Sequence, residues 1–434
     1  MNLPILVAYI DPGTGSMLFT ILIGVLGAGI YAAREAAVKL RFLLSGGRAV
    51  RKEEERMPYA IFSDNKRYWN VFGPICEEFE ARGEELHYLT ASPDDPALER
   101  DFQHVKCRFI GEGNKAISRM NLINADIVLS TTPGLDVYQW KRSKSASYYI
   151  HIPHMPNDVS GYRLLGLDFY DAILLSGKYQ EEEIRRLEAI RSIPAKETAF
   201  VGIPFLDTLK ARLDSHPAPV KEDKKTTILL APSWGKNGIL VKYGASFIEN
   251  LLKTPYNIVI RPHPQSFISE KEQMDKLLAR FPESDRLKWS REPDNFDVLN
   301  EADLMISDFS GVVFDFTLVF NKPIIYTQPS EDWSQLDCSW DTEEMWTLKI
   351  LPKLGKELSE DNFGNITGLV EECLNSKESA EFAKGRDLAR EQTWCNMGEG
   401  AVKVTDYLLN KHNEITAAKR ASARANQSSK AKKK

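Results

Sequence analysis

From Pro58 onward the chain alternates short apolar runs of β character with amphipathic stretches of helical period, and the alternation starts over once. Residues 59–63, 86–89, 125–130, 147–151 and 172–176 read as strands. Residues 68–82 carry apolar side chains at helical spacing. Strands that are apolar on both faces, separated by helices, predict a parallel sheet covered on both sides. A second series opens at 227–231 and continues at 257–261, 304–307 and 323–326. The Pro-, Lys- and Asp-rich stretch 214–225 reads as the linker between the two series. The expected architecture is therefore α/β, with domains at 56–212 and 226–412 facing a cleft. Ligands of such sheets bind beyond the carboxyl ends of the strands.

The N-terminus is different in kind. Residues 17–33 are uncharged and largely apolar, and as a helix they would be roughly 25 Å long, the lower limit for spanning a bilayer. Asp11-Pro12-Gly13 stops the preceding run, and Ser16 is available as an N-cap. A cleaved signal peptide would carry its positive charge before the apolar run. Here Arg34, Lys39, Arg41, Arg48, Arg51 and Lys52 all follow it. A buried soluble helix would have to be covered on every face. The reading adopted is a membrane-anchor helix with its basic flank, residues 1–55, which leaves the remainder in the cytoplasm. Gly24, Gly27 and Gly29 lie inside the apolar run with no strand before them, so they suit helix packing better than a nucleotide loop.

The other end, residues 413–434, is basic and low in complexity and is expected to be disordered. It reads as a solubilising end or as an attractant for anionic headgroups. Residues 181–188 read as a solvated helix face. A net charge of −5 gives no argument for nucleic acid as a partner, and none is expected. The cysteines at 76, 107, 338, 373 and 395 are scattered and odd in number, as expected in a reducing compartment.

Candidate chemistry falls where parallel sheets place it. Arg261-Pro262-His263-Pro264 closes one strand of the second series, and Ser307-Asp308-Phe309-Ser310-Gly311 closes another ahead of an expected helix. Arg261 offers a fork of donors, and His263 a hydrogen bond or proton near neutral pH. A serine-rich turn at a helix start suits phosphate, and Gly311 lets backbone approach it closely. Taken singly, each is equally a rigid loop or an N-cap. The first series supplies His151-Ile152-Pro153-His154-Met155-Pro156, also after a strand. Two histidines three apart in a Pro-rich loop share no helix face, so a general base suits them better than a metal pair. Asp158, Tyr162 and Arg163 read equally as orienting that loop, as lining the cleft or as purely structural.

The ordered set His151 to Pro156, Gly202-x-Pro204-x-x-Asp207, Leu229 to Trp234, Arg261 to Pro264, Asn295-x-Asp297-x-Leu299, Ala302-Asp303 and Ser307 to Asp315 resembles the CDP-glycerol glycerophosphotransferase family, which includes teichoic-acid primases and polymerases. The resemblance spans roughly residues 145–405. It implies a GT-B-like fold of two Rossmann-like domains working without a metal or other cofactor. The reaction implied is transfer of glycerol phosphate, or ribitol phosphate, from a CDP-alditol to an acceptor hydroxyl with release of CMP. On the same basis His154 looks like the base and His263 like the partner of the leaving phosphate. Arg261, Ser307, Ser310 and Gly311 would hold the donor phosphates, with His151 in support. Asp308 and Asp315 would fix the turn.

Two positions depart from the family pattern. It often has His-Gly-Thr-Pro at the first histidine and a second Ser where Gly311 stands. The partners implied are a CDP-alditol, a lipid-linked or polymer acceptor and the membrane, and a homo-oligomer stays open. The competing readings are a GT-B glycosyltransferase or sugar-nucleotide epimerase, and a non-catalytic membrane scaffold.

Overall fold

The computed structural model describes residues 56–218, 225–292, 294–308, 310–328 and 332–431. The expected anchor lies outside these. Among the described residues no helix is long and apolar enough to cross a membrane.

The first half is a seven-stranded parallel sheet in the order β3-β2-β1-β4-β5-β6-β7. Its strands are β1 Met57–Ser63, β2 Leu86–Thr90, β3 Val105–Phe109, β4 Ala125–Ser130, β5 Ala146–His151, β6 Ala172–Leu175 and β7 Glu197–Phe200. The second is a six-stranded parallel sheet, β10-β9-β8-β11-β12-β13. Here the strands are β8 Thr227–Leu230, β9 Asn257–Ile260, β10 Leu287–Trp289, β11 Leu304–Ser307, β12 Ile324–Tyr326 and β13 Gly355–Glu357. Two doubly covered parallel sheets are what the alternation predicts. An apolar core lies on each face of each sheet, with Ile61, Phe72 and Tyr88 on one side of the first and Phe62, Val128 and Tyr149 on the other.

The expected strands are the central ones. The four that the pattern does not announce, β3, β7, β10 and β13, are the four sheet edges. Their sequences, VKCRF, ETAF, LKW and GKE, are partly solvent-facing and correspondingly mixed in polarity. Register brings the central strands to a common end. Ser130 lies opposite His151 in the first sheet, and Ser307 opposite Tyr326 in the second.

The domain limits differ from expectation at both crossings. Helix Pro204–Ser215 takes up the start of the supposed linker, and its Leu206 and Leu209 pack into the core of the second half. Near the C-terminus the chain returns. Helix Gly400–Ala431 runs through the segment expected to be disordered, and its Val404 and Leu408 complete the core of the first half. The alanine-rich sequence favours a helix, and Lys411 and Lys419 tie it to Glu197 and Asp126. The two crossings lie against each other. The Asp207 carboxylate accepts from Trp394 Nε1 at 2.7 Å and from the N–H groups of Gly398 and Gly400 at 2.7 and 2.8 Å. Gly202 has φ +90° and abuts the Cys395 carbonyl, at 2.3 Å from where a Cβ would stand. Gly202 and Asp207 of the Gly202-x-Pro204-x-x-Asp207 motif thus serve the junction.

Candidate active site

Loops from the ends of β1, β5, β9 and β11 surround a cavity of about 440 Å³. It is lined by His154 and Met155, by Arg261 and His263, by Ser310, Gly311 and Asp315, and by Arg67 and Tyr68. Five of the residues singled out in the sequence, His154, His263, Arg261, Ser310 and Gly311, therefore meet in one place.

His154 follows β5 in the Pro-rich loop. Its Nδ1 lies 3.2 Å from the Thr131 hydroxyl at the end of β4, and Tyr68 packs edge-on to its ring at 5.1 Å. Burial, reinforced by the Arg67 charge, pushes its pKa down to about 4. The imidazole is therefore neutral near pH 7 and able to take a proton. Across the cavity, His263 Nδ1 accepts the Gln265 backbone N–H at 3.1 Å. A neutral ring that accepts at Nδ1 carries its proton on Nε2, so His263 presents a donor. Burial and then Arg67 lower its pKa also. The Arg261 guanidinium is aimed by Ser290 Oγ at 2.8 Å and the Glu292 carbonyl at 2.7 Å.

The remaining sequence candidates stand behind this surface. His151 is fully buried, its Nε2 3.2 Å from the Tyr162 hydroxyl, and burial pushes its pKa down to about 3. It belongs to the core under the loop. Ser307 is fully buried and its Oγ donates to the Ala231 carbonyl at 2.6 Å, which corrects its expected contact with phosphate. Asp308 accepts from the N–H of Ser233 at 2.8 Å and of Ile239 at 3.2 Å. It thereby closes the loop that displays Trp234, which is 47% exposed and has its ring 6.4 Å from that of His263. After Gly311 a single turn, Val312–Phe314, gives way to a π-helical stretch, Asp315–Val319, in place of the expected α-helix. Such bulges recur at functional sites. This one brings Asp315 to the cavity, where burial pushes its pKa up to about 7.

Arg67 is a lining residue that sequence reasoning missed. It sits in the first connection after a predicted strand, where the strand-end rule could have found it. Asp315, expected only to fix the turn, reaches the cavity through the π-turn, which no pattern announces.

Residues 160–336 match the model of the family described as CDP-glycerol:poly(glycerophosphate) glycerophosphotransferase. It is the family that the motifs resemble. The matched segment runs from just after the His154 loop to the loop following β12, and it includes Arg261, His263, Ser310, Gly311 and Asp315. Solved structures share the fold at low identity. The UDP-GlcNAc 2-epimerase of Neisseria meningitidis, bound to UDP-GlcNAc, is 12% identical with a TM-score of 0.55, over 82% of this chain and all of that one. That of Methanocaldococcus jannaschii, in complex with UDP-GlcNAc and UDP, is 13% identical with a TM-score of 0.54 over the same shares. S. aureus MnaA, solved with UDP, is 14% identical with a TM-score of 0.53, over 82% of this chain and 97% of that one. These likenesses establish the two-sheet, GT-B-like fold. No curated protein sequence matches the chain.

Proposed function

We propose that the protein transfers glycerol phosphate, or a related alditol phosphate, from a CDP-alditol to an acceptor hydroxyl and releases CMP. The observation that carries this reading is the meeting of two histidines, His154 from the first half and His263 from the second, in one cavity that also holds Arg67, Arg261 and Ser310. The match to the glycerophosphotransferase model supports the donor class.

In this mechanism His154 takes the proton of the acceptor hydroxyl as its oxygen attacks the alditol-bearing phosphorus. The new P–O bond forms as the bond to the bridging oxygen breaks, and CMP leaves with that oxygen. His263 Nε2–H donates to the departing phosphate. Arg67, Arg261 and Ser310 compensate the charge on the transferring group. Positioning and electrostatics supply most of the rate in such displacements. The apolar run at residues 17–33 would hold the catalytic region at the cytoplasmic face of the membrane, beside a lipid-linked acceptor. Recovery of a 1–55 deletion in the soluble fraction would fit this, and its retention on membranes would oppose it.

The test is CMP release by the full chain from CDP-glycerol and CDP-ribitol with a lipid-linked acceptor. UDP-GlcNAc runs in parallel, since the fold neighbours were solved with UDP-GlcNAc or UDP. Turnover of the UDP-sugar alone would favour a glycosyltransferase or epimerase. Turnover of none would favour a scaffold.

A further inference from the structure

A second cavity, of about 450 Å³, adjoins the first and shares three lining residues with it, Asn70, Phe205 and Asn295. It lies between helices Trp69–Arg82 and Pro204–Ser215 and the residues before Phe296. We propose that this trough is the acceptor subsite and that it takes an uncharged polyhydroxylated ring, the terminal sugar of the acceptor. The role assigned to it rests on the transferase reading above, whereas its ligand class rests on its own lining.

The two cavities differ in charge. The charged residues lining the catalytic cavity are Arg67, Arg261 and Asp315, an excess of cations suited to phosphate. In the trough each guanidinium has a carboxylate beside it: Arg100 lies 3.8 Å from Glu77, and Arg212 2.5 Å from Asp294. The trough is therefore neutral in sum, and a polyanionic chain would have to displace those carboxylates. Alternating guanidinium, carboxylate and amide groups instead offer donors and acceptors side by side, which vicinal hydroxyls satisfy in both directions. Half-buried Pro74, with the small surface that Trp69 and Leu209 expose, adds an apolar patch beside these groups. A sugar seated there has its exit through Asn70 and Phe205 into the cavity of His154. Arg261 and Ser310, the groups suited to the donor phosphates, line the catalytic cavity and not the trough, so the trough is left for the acceptor.

Thr208→Trp tests this, because Thr208 is exposed on its helix and lines the trough without lining the catalytic cavity. With octyl N-acetylglucosaminide as acceptor and CDP-glycerol as donor, the variant should raise the acceptor KM by about tenfold or more while leaving the donor KM unchanged. Arg100→Ala should act in the same direction. A tri(glycerol phosphate) acceptor preferred by the native protein and insensitive to Thr208→Trp would overturn the proposal. Should no CDP-alditol turn over, saturation-transfer NMR of the glycoside with the full chain decides the matter separately. Transfer to the sugar-ring protons that is present with the native protein and disappears with Thr208→Trp supports the subsite, and no transfer with the native protein overturns it.

Discussion

Met155 occupies the space that a side chain at position 311 would need. A Cβ on Gly311 would stand 2.3 Å from Met155 Cε and 2.8 Å from its Sδ. The thioether of the first half is thus seated on the glycine of the second, one residue from His154 on one side and one from Ser310 on the other. The departure at Gly311 from the serine that the family often carries is answered across the cleft by a residue of the histidine loop.

Restoring that serine should therefore harm the enzyme by displacement. The colliding atoms are the far end of a flexible side chain, so Gly311→Ser should shift the melting temperature little. The displaced thioether would move within the catalytic cavity and lower kcat by about 10- to 100-fold. Met155→Ala in the same chain should recover most of that loss. A double variant no better than the single one, in CMP release at saturating donor, would remove the coupling.

The two catalytic histidines should each be needed for turnover. Either His154→Ala or His263→Ala should cost about 10²- to 10⁴-fold in kcat. Because His154 is held down to about 4, its own protonation should lower the native rate only in acid, whereas Asp315, held up to about 7 in the same cavity, is the group whose charge changes near neutrality. The same depression acts on folding. Below about pH 6.5 the unfolded chain takes protons that the buried rings of His151 and His154 refuse, so their contribution lowers stability as pH falls from there towards 4. His151→Ala should chiefly lower stability, by roughly 2 kcal/mol or more, in urea denaturation.

Asp308→Ala leaves the N–H groups of Ser233 and Ile239 without their acceptor. A loss of about 1–3 kcal/mol is expected, along with a weaker hold on the loop carrying Trp234. Asp308→Asn, which keeps one acceptor oxygen, should lose less. Equal losses in chemical denaturation would show that the loop is held by other means.

The halves are also joined through Asp158, whose carboxylate accepts from the N–H groups of Trp346 and Thr347 and so caps helix Trp346–Leu354 from the other half. Glu183, expected on a solvated face, is buried beside it and accepts the Ser160 N–H at 3.0 Å. Burial, and the charge of Asp158, hold its pKa far above the carboxylate range. A folded-state pKa above the unfolded one stabilises fully below the unfolded value and progressively less as pH rises towards the folded one. As pH rises above the ordinary carboxylate range, this group's contribution to stability should therefore decline. Glu183→Gln should flatten that slope, and an unchanged slope would show that Glu183 ionises freely.

Much of this was legible in the chain because central parallel strands are apolar on both faces and end where loops carry chemistry. Arg261, His263 and Ser310 could be picked from that rule alone. Ser307 misled because a hydroxyl at a strand end serves a neighbouring carbonyl as readily as a ligand, and only the packing of Ala231 decides between them. Edge strands such as GKE hold too little apolar surface to mark themselves. The return of Val404 and Leu408 to the first core is a long-range pairing that local periodicity does not encode.

That return has a mechanical consequence. With Gly202 pressed to Cys395 and Asp207 binding Gly398 and Gly400, two passages of chain are fastened side by side like the leaves of a hinge. The halves are therefore fastened at the place where the chain passes between them in both directions. A protease nick anywhere in 214–225 would leave two fragments that migrate together until denatured, since each carries a piece of the other's core.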